Sequence, residues 1–193
     1  MTDKTAKPVW LVCLQDKIFE GLPSPAEKEA WTQDLDSAIP PGLPEAVFSR
    51  IRNRFLHDML VQQVLPLVPE ERGAIRDAIS GVVVLLERSI KGEPISKDEW
   101  QQAEKAAFAA ADAVAWSANP ANHTGKWAAW AAAWAATDGA DTAVDHAATA
   151  VILAVARFVP DIEAAAAAFW RWAASHLLKL IGEERVAWAA RTA

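Results

Sequence analysis

The chain has 193 residues, 52% of them hydrophobic, with 19 basic and 25 acidic side chains and a formal charge of −6. That length suits one domain, with or without an appended segment, and the hydrophobic fraction excludes disorder as the main state. A lone cysteine, Cys13, excludes a disulfide scaffold and any four-cysteine zinc module, and a net acidic chain has no electrostatic reason to hold a nucleic-acid phosphate backbone.

Proline organises the N-terminal part. Six of the eleven prolines (Pro8, Pro23, Pro25, Pro40, Pro41 and Pro44) fall in residues 1–44, and proline removes a backbone donor and blocks helix interiors. Residues 1–44 therefore read as a proline-rich segment holding at most one or two short helices, ahead of a helical bundle domain over 45–193. Within this segment the apolar run Val9–Leu14 fits either a strand or a buried helical turn. Ser24-Pro25 predicts a helix to about Ala38, with serine as N-cap and proline at the first helical position.

From Pro44 onward the spacing is helical. Val47, Phe48, Ile51, Phe55, Met59 and Val64 form one stripe, stopped near Pro66 and Pro69. Ile75, Ile79, Val82, Val83 and Leu86 form a second, over about 70–90, ended by Gly92 and Pro94. Ser96 and Glu99 have capping-box spacing, in which each side chain satisfies a free backbone N–H, and they open a helix to about Ser117. Asn119–Gly125 reads as a polar loop. Helices are then expected over about 126–137, 141–158, 160–180 and 183–190, with Gly182 as a terminator between the last two. The expected fold class is all-α: a compact bundle of about seven or eight helices, rich in Ala and Trp and without a fixed repeat period.

Of 42 alanines, 35 lie between Ala103 and Ala193. Alanine is the best helix former but buries little area, so such helices gain from packing only when they approach closely. Tryptophans are expected to fill the remaining volume, with Trp127, Trp130 and Trp134 on one stripe and Phe169, Trp172 and Trp188 in others. Full burial of Trp134 predicts a cost of about 3–5 kcal/mol for Trp134→Ala. Runs such as Gly81–Leu86 and the largely apolar Ala147–Ala156 fall short of the roughly 18 residues that a membrane span needs. No small-residue cleavage site follows Leu14, so a soluble, cytoplasmic protein is expected.

Chemistry-bearing patterns are sparse. No His-Glu-x-x-His pair, phosphate loop or nucleophile elbow occurs. Asp138, Asp141 and Asp145 sit at i, i+3 and i+7, so a helix could present three carboxylates on one face as a binding patch; capping of the helix after Gly139 explains the same residues. His123 lies in the polar loop and is either a site residue or part of a turn. Cys13, inside an apolar run, reads as a buried inert thiol. Arg50 and Arg54 share a helix face while Arg52 is rotated about 200° from Arg50, so no groove-tracking stripe forms, and ion pairs with Glu45 or Asp58 are expected.

One stretch is more specific than packing requires. Val64-Leu65-Pro66-Leu67 is followed by Pro69, Arg72 and Ala74-Ile75-Arg76-Asp77-Ala78-Ile79. A helix then ends at Ile90-Lys91-Gly92-Glu93-Pro94-Ile95, ahead of Ser96–Trp100 and the alanine-rich Ala103–Ala113 stretch. This order resembles a family of all-α immunity proteins linked to bacterial polymorphic toxin systems, over about residues 45–180. The resemblance implies a toxin-blocking role and brings no site residues with it.

Together these features point to a non-catalytic helical binding protein, of the immunity type, that sequesters a cognate toxin or another protein partner. No cofactor, metal, nucleic acid or membrane is expected. Asp138, Asp141, Asp145 and His123 are the candidate binding residues. The alternatives are a structural or homo-oligomeric helical module and, less favoured, a metal-binding helical-bundle enzyme.

Overall fold

The computed structural model describes residues 7–115, 120–137, 143–155 and 161–192. They form eight α-helices and no strand: α1 (Val9–Gly21), α2 (Pro25–Ala38), α3 (Glu45–Met59), α4 (Gly73–Ile90), α5 (Lys97–Ala115), α6 (Pro120–Ala136), α7 (Ala143–Val155) and α8 (Ile162–Thr192). The all-α bundle is thus the fold, and the apolar run at Val9 is the start of a helix.

Local chemistry sets most of the boundaries. The Ser24 hydroxyl accepts the Glu27 N–H at 3.2 Å and Pro25 occupies the first turn of α2. At α5 the capping box is complete: Glu99 accepts the Ser96 N–H at 2.8 Å, and Ser96 Oγ accepts the Glu99 N–H at 3.2 Å. Asp161 caps α8 by accepting the Ala164 N–H at 2.9 Å. Gly92, at φ 80°, supplies the left-handed residue after α4.

Pro66 cannot donate a backbone hydrogen bond, and the chain adapts around it. The end of α3 widens into a π turn (Leu60–Val64), where Leu65 N–H reaches back to Leu60 O, and then tightens into a 3-10 turn (Leu65–Leu67). The Arg76 guanidinium donates to Leu65 O at 3.2 Å and Val68 O at 2.7 Å, which satisfies carbonyls that the broken helix leaves open. Arg88 fastens the next loop by ion pairs with the Glu93 carboxylate at 3.2 Å and the Glu99 carboxylate at 2.6 Å. Within the stretch from Val64 to Glu99, Pro66, Arg76, Arg88, Gly92, Ser96 and Glu99 thus have structural roles in turns and caps.

One continuous core runs through the molecule. Leu11, Leu14 and Ile18 of α1 and Leu35 of α2 join Ile51, Phe55 and Met59 of α3, Ile79 and Leu86 of α4, and Leu177, Leu180 and Ile181 of α8. Helices α1 and α2 pack on α8, and α1 also packs on α7. Gly21 ends α1 against the Trp170 indole, whose ring occupies the space that a Cβ there would need.

The alanine-rich layer departs from expectation. Helix α6 is enclosed by α5 and α7, and Ala128, Ala129, Ala131, Ala132 and Ala133 are fully buried. Trp127, Trp130 and Trp134 are only partly buried and pack on the edge of this layer. Trp127 and Trp130 meet edge to face at 5.0 Å, and Trp134 meets Phe108 the same way at 6.0 Å. Small side chains make the interior and indoles seal its rim, because helices in methyl-to-methyl contact leave no room for a ring between them.

Two boundaries also differ. Helix α6 begins at Pro120 rather than near Lys126, with Thr124 buried inside it and Gly125 close to Ile75; a Cβ at Gly125 would lie 2.7 Å from Ile75 Cδ1. Gly182 does not terminate a helix: α8 runs through it for 31 residues, about 46 Å at 1.5 Å per residue. Burial of Leu180 and Ile181 and the anchoring of Glu184 offset the roughly 1 kcal/mol that a mid-helix glycine costs.

Candidate functional site

Asp138 and Asp141 lie outside the described residues. Asp145 falls on α7 and His123 on α6, but the surroundings of both side chains lie outside what is described. His123 is therefore in the first turns of a helix and not in a loop, because Pro120 is preorganised to start α6. Neighbouring His146 is exposed and packs on the Trp134 ring at 4.7 Å. Cys13 is half-buried rather than buried, since its position on α1 is at the border of the core face.

The structure assembles a different cluster, from α3, α4 and α8. The Asp58 carboxylate lies 2.8 Å from His57 Nδ1 and 2.8 Å from His176 Nε2, and Glu87 lies 3.4 Å from the other His57 nitrogen. His176 stacks on Trp172, with centroids 4.9 Å apart and planes at 11°. Hydrogen bonding to Asp58 raises the His57 pKa against the opposing effect of burial, with Glu87 adding to it. Burial alone would raise the Asp58 carboxyl, but the bonds from His176 and His57 outweigh it and hold that group well below the usual carboxylate range.

Beside this cluster Arg54 donates to Glu183 at 2.6 Å and to Glu184 at 3.1 Å, and Arg50 lies 3.7 Å from the second Glu184 oxygen. The expected partners, Glu45 and Asp58, are not the ones used. Continuation of α8 through Gly182 carries Glu183 and Glu184 to α3, and Asp58 is taken by the histidines. Glu184 is buried, and these arginines supply the opposite charge beside its carboxylate. Both imidazoles are committed to carboxylates, and no group of three His, Cys, Asp or Glu with metal-site geometry occurs among the described residues. The cluster ties α3 to α8. Sequence spacing carries no signal for it, since Asp58 and His176 are 118 residues apart.

A second feature is the outer face of α1 and α2. On α1 the inward residues are Trp10, Leu11, Leu14 and Ile18, while Val9, Val12 and Phe19 are 54%, 42% and 45% exposed. These three share a face with Asp16 at helical spacing. Helix α2 lies between two open grooves. One, of about 460 Å³, is lined by Phe19, Pro25, Lys28 and Thr32. The other, of about 340 Å³, lies against α8 and is lined by Trp31, Asp34, Arg171 and Leu178. The buried Trp31 indole N–H bonds Ala174 O at 3.3 Å and Arg171 pairs with Glu27 at 3.1 Å, so α2 is fixed on α8 at both levels.

Charge is concentrated here. Residues 9–38 carry six acidic and two basic side chains, a net of −4 of the chain's −6. Asp16, Glu29 and Asp34 have no ion-pair partner among the described residues. No helix among the described residues is long and apolar enough to cross a membrane. No family model matches the chain, no curated protein matches it, and no solved structure matches it.

Proposed function

We propose that this chain is a non-catalytic binding protein of the immunity type, which sequesters a protein partner, a toxin in the reading that the resemblance implies, within the cytoplasm. The observation that supports it is the α1–α2 face: three exposed apolar side chains on one stripe of α1, with Phe19 also lining a groove beside α2, in a segment that carries two thirds of the net negative charge. An apolar centre beside Asp16, Glu29 and Asp34, which have no ion-pair partner among the described residues, fits a partner that presents basic and apolar side chains together. Charge complementarity of this kind speeds encounter and selects among partners. The same charge opposes pairing of two copies through this face, which disfavours a homo-oligomeric module built on it.

Co-expression with a candidate toxin from a neighbouring gene, scored by growth rescue and by pull-down, tests this reading. Rescue and a stable complex are expected, both weakened by Val12→Asp with Phe19→Asp and by Asp34→Lys with Glu29→Lys. Rescue that survives these changes but is lost in Asp138→Asn, Asp141→Asn, Asp145→Asn would move the contact surface to the carboxylate patch of the sequence. Absence of both rescue and complex would end the proposal.

A further inference from the structure

A cleft of about 90 Å³ lies where α3, α4, α5 and the end of α6 meet, and neither α1 nor α2 contributes to it. Its floor includes the buried Leu56 and Leu86. Its polar wall is a directed chain of hydrogen bonds. Arg52 Nε donates to Asn53 Oδ1 at 3.4 Å, and Asn53 Nδ2 donates to Ser89 Oγ at 2.8 Å. Donation runs one way, so unspent donors remain at both ends: the two terminal guanidinium nitrogens of Arg52 and the hydroxyl hydrogen of Ser89, none with an acceptor among the described residues. Arg50 and Arg54, one turn-face away on the same helix, are by contrast both engaged by glutamates. Opposite, the Thr137 hydroxyl donates to Glu104 at 3.1 Å and to Ala133 O at 3.2 Å, so its one hydrogen is spent and the donors left to the cleft are those of Arg52 and Ser89.

We propose that this cleft binds a small carboxylate. A planar guanidinium presents parallel N–H groups that match the two oxygens of a carboxylate, and the Ser89 hydroxyl supplies a further donor. The volume holds a few water-sized groups, enough for a carboxylate with one or two carbons, whose alkyl end would rest on the leucine floor. A phosphate would place a second negative charge against a single cation and its remaining oxygen against the Leu56 side, where no charged partner meets it. The carboxylate could come from a free short-chain acid or from an aspartate side chain on another protein; both carry the same chemistry.

The test uses the full chain in solution and follows the indole N–H of Trp100, a residue that lines the cleft, assigned by Trp100→Phe, in two-dimensional NMR. Titration with acetate should give a saturable shift with a Kd on the order of 1 mM, since so small a ligand has few contacts. Arg52→Gln should weaken binding by about tenfold or more, the usual worth of a charge-assisted pair, with the melting temperature unchanged; Arg52→Lys should fall between. A blocked aspartate (N-acetyl, N-methylamide) is the second arm. Binding equal to or tighter than that of acetate assigns a protein source, and acetate alone binding assigns a free acid. No saturable shift with either, an undiminished shift in Arg52→Gln, or binding of inorganic phosphate in preference to acetate would overturn the proposal.

Discussion

Helices α3, α4 and α8 and helices α5, α6 and α7 solve the same packing problem in opposite ways. The first group buries branched and aromatic side chains, such as Ile51, Phe55, Ile79 and Leu177, and fastens its helices with ion pairs at the edge. The second buries methyl groups and sets its indoles around the rim. In the first, stability resides in apolar area per side chain; in the second, in helices that fit without gaps and tolerate no added volume. Truncation and enlargement should therefore act oppositely in the two regions.

The largest effect is expected from Phe55→Ala, which removes a fully buried ring in contact with Trp172 at 5.8 Å and should cost about 4 kcal/mol in urea unfolding. Trp134→Ala deletes a larger ring but a half-buried one, so its cost should be about 2 kcal/mol and not the 3–5 expected of a core tryptophan. Equal losses at the two sites would dissolve the distinction between the regions.

Arg54→Met comes next. It leaves the buried Glu184 carboxylate with only Arg50 at 3.7 Å, and a loss of about 3 kcal/mol is expected. Restoration of stability in the double variant with Glu184→Leu would confirm that the cost lies in the stranded charge. Ala132→Leu, in the middle of α6, should cost about 2 kcal/mol by overpacking; a neutral or stabilising result would show that the alanine layer has slack.

Gly182→Ala should stabilise by about 0.5–1 kcal/mol, because the residue is inside α8 and nothing lies within 4 Å of the added methyl. A loss of stability there would mean that α8 is interrupted.

The smallest effect is the pH dependence of the ionic edge. Asp58 is held below its ordinary value and Glu99 is held at about 2, chiefly by Arg88, so what they contribute is present above the ordinary carboxylate values of 3.8 and 4.5 and fades as pH falls. His57 is raised, so its contribution is present below 6.5 and is lost as pH climbs through its folded value. The melting temperature should therefore be highest between about pH 4.5 and 6.5. Asp58→Asn should flatten both limbs and Glu99→Gln only the acid one. A profile unaltered by Asp58→Asn would detach the histidine cluster from stability.

Local signals were legible from the residues because their chemistry is local. Ser24-Pro25, the Ser96–Glu99 box and the stripes of α3 and α4 act within a few residues and appear in the structure as read. Where the reading failed, a long-range contact outweighed a local preference. Gly182 carries a terminator's composition, but the anchoring of Glu183 and Glu184 on α3 keeps the helix going. Trp134 carries a core residue's composition, but neighbouring methyl faces close ahead of it. The candidate residues Asp138, Asp141 and Asp145 followed from helical spacing and His123 from its polar stretch, whereas the α1–α2 face follows from which side of α1 the core takes up.

The order of residues by itself determined that this chain is helical, where most helices begin, and which stripes turn inward, since hydrogen-bond capping and 3.6-residue periodicity operate within a single turn or two. Only the tertiary structure decided which carboxylate meets which cation, that alanine fills the interior while tryptophan borders it, and that Arg52 is left with unspent donors in a cleft. Those outcomes depend on helices distant in sequence competing for the same space, and no periodicity along one helix records its neighbours.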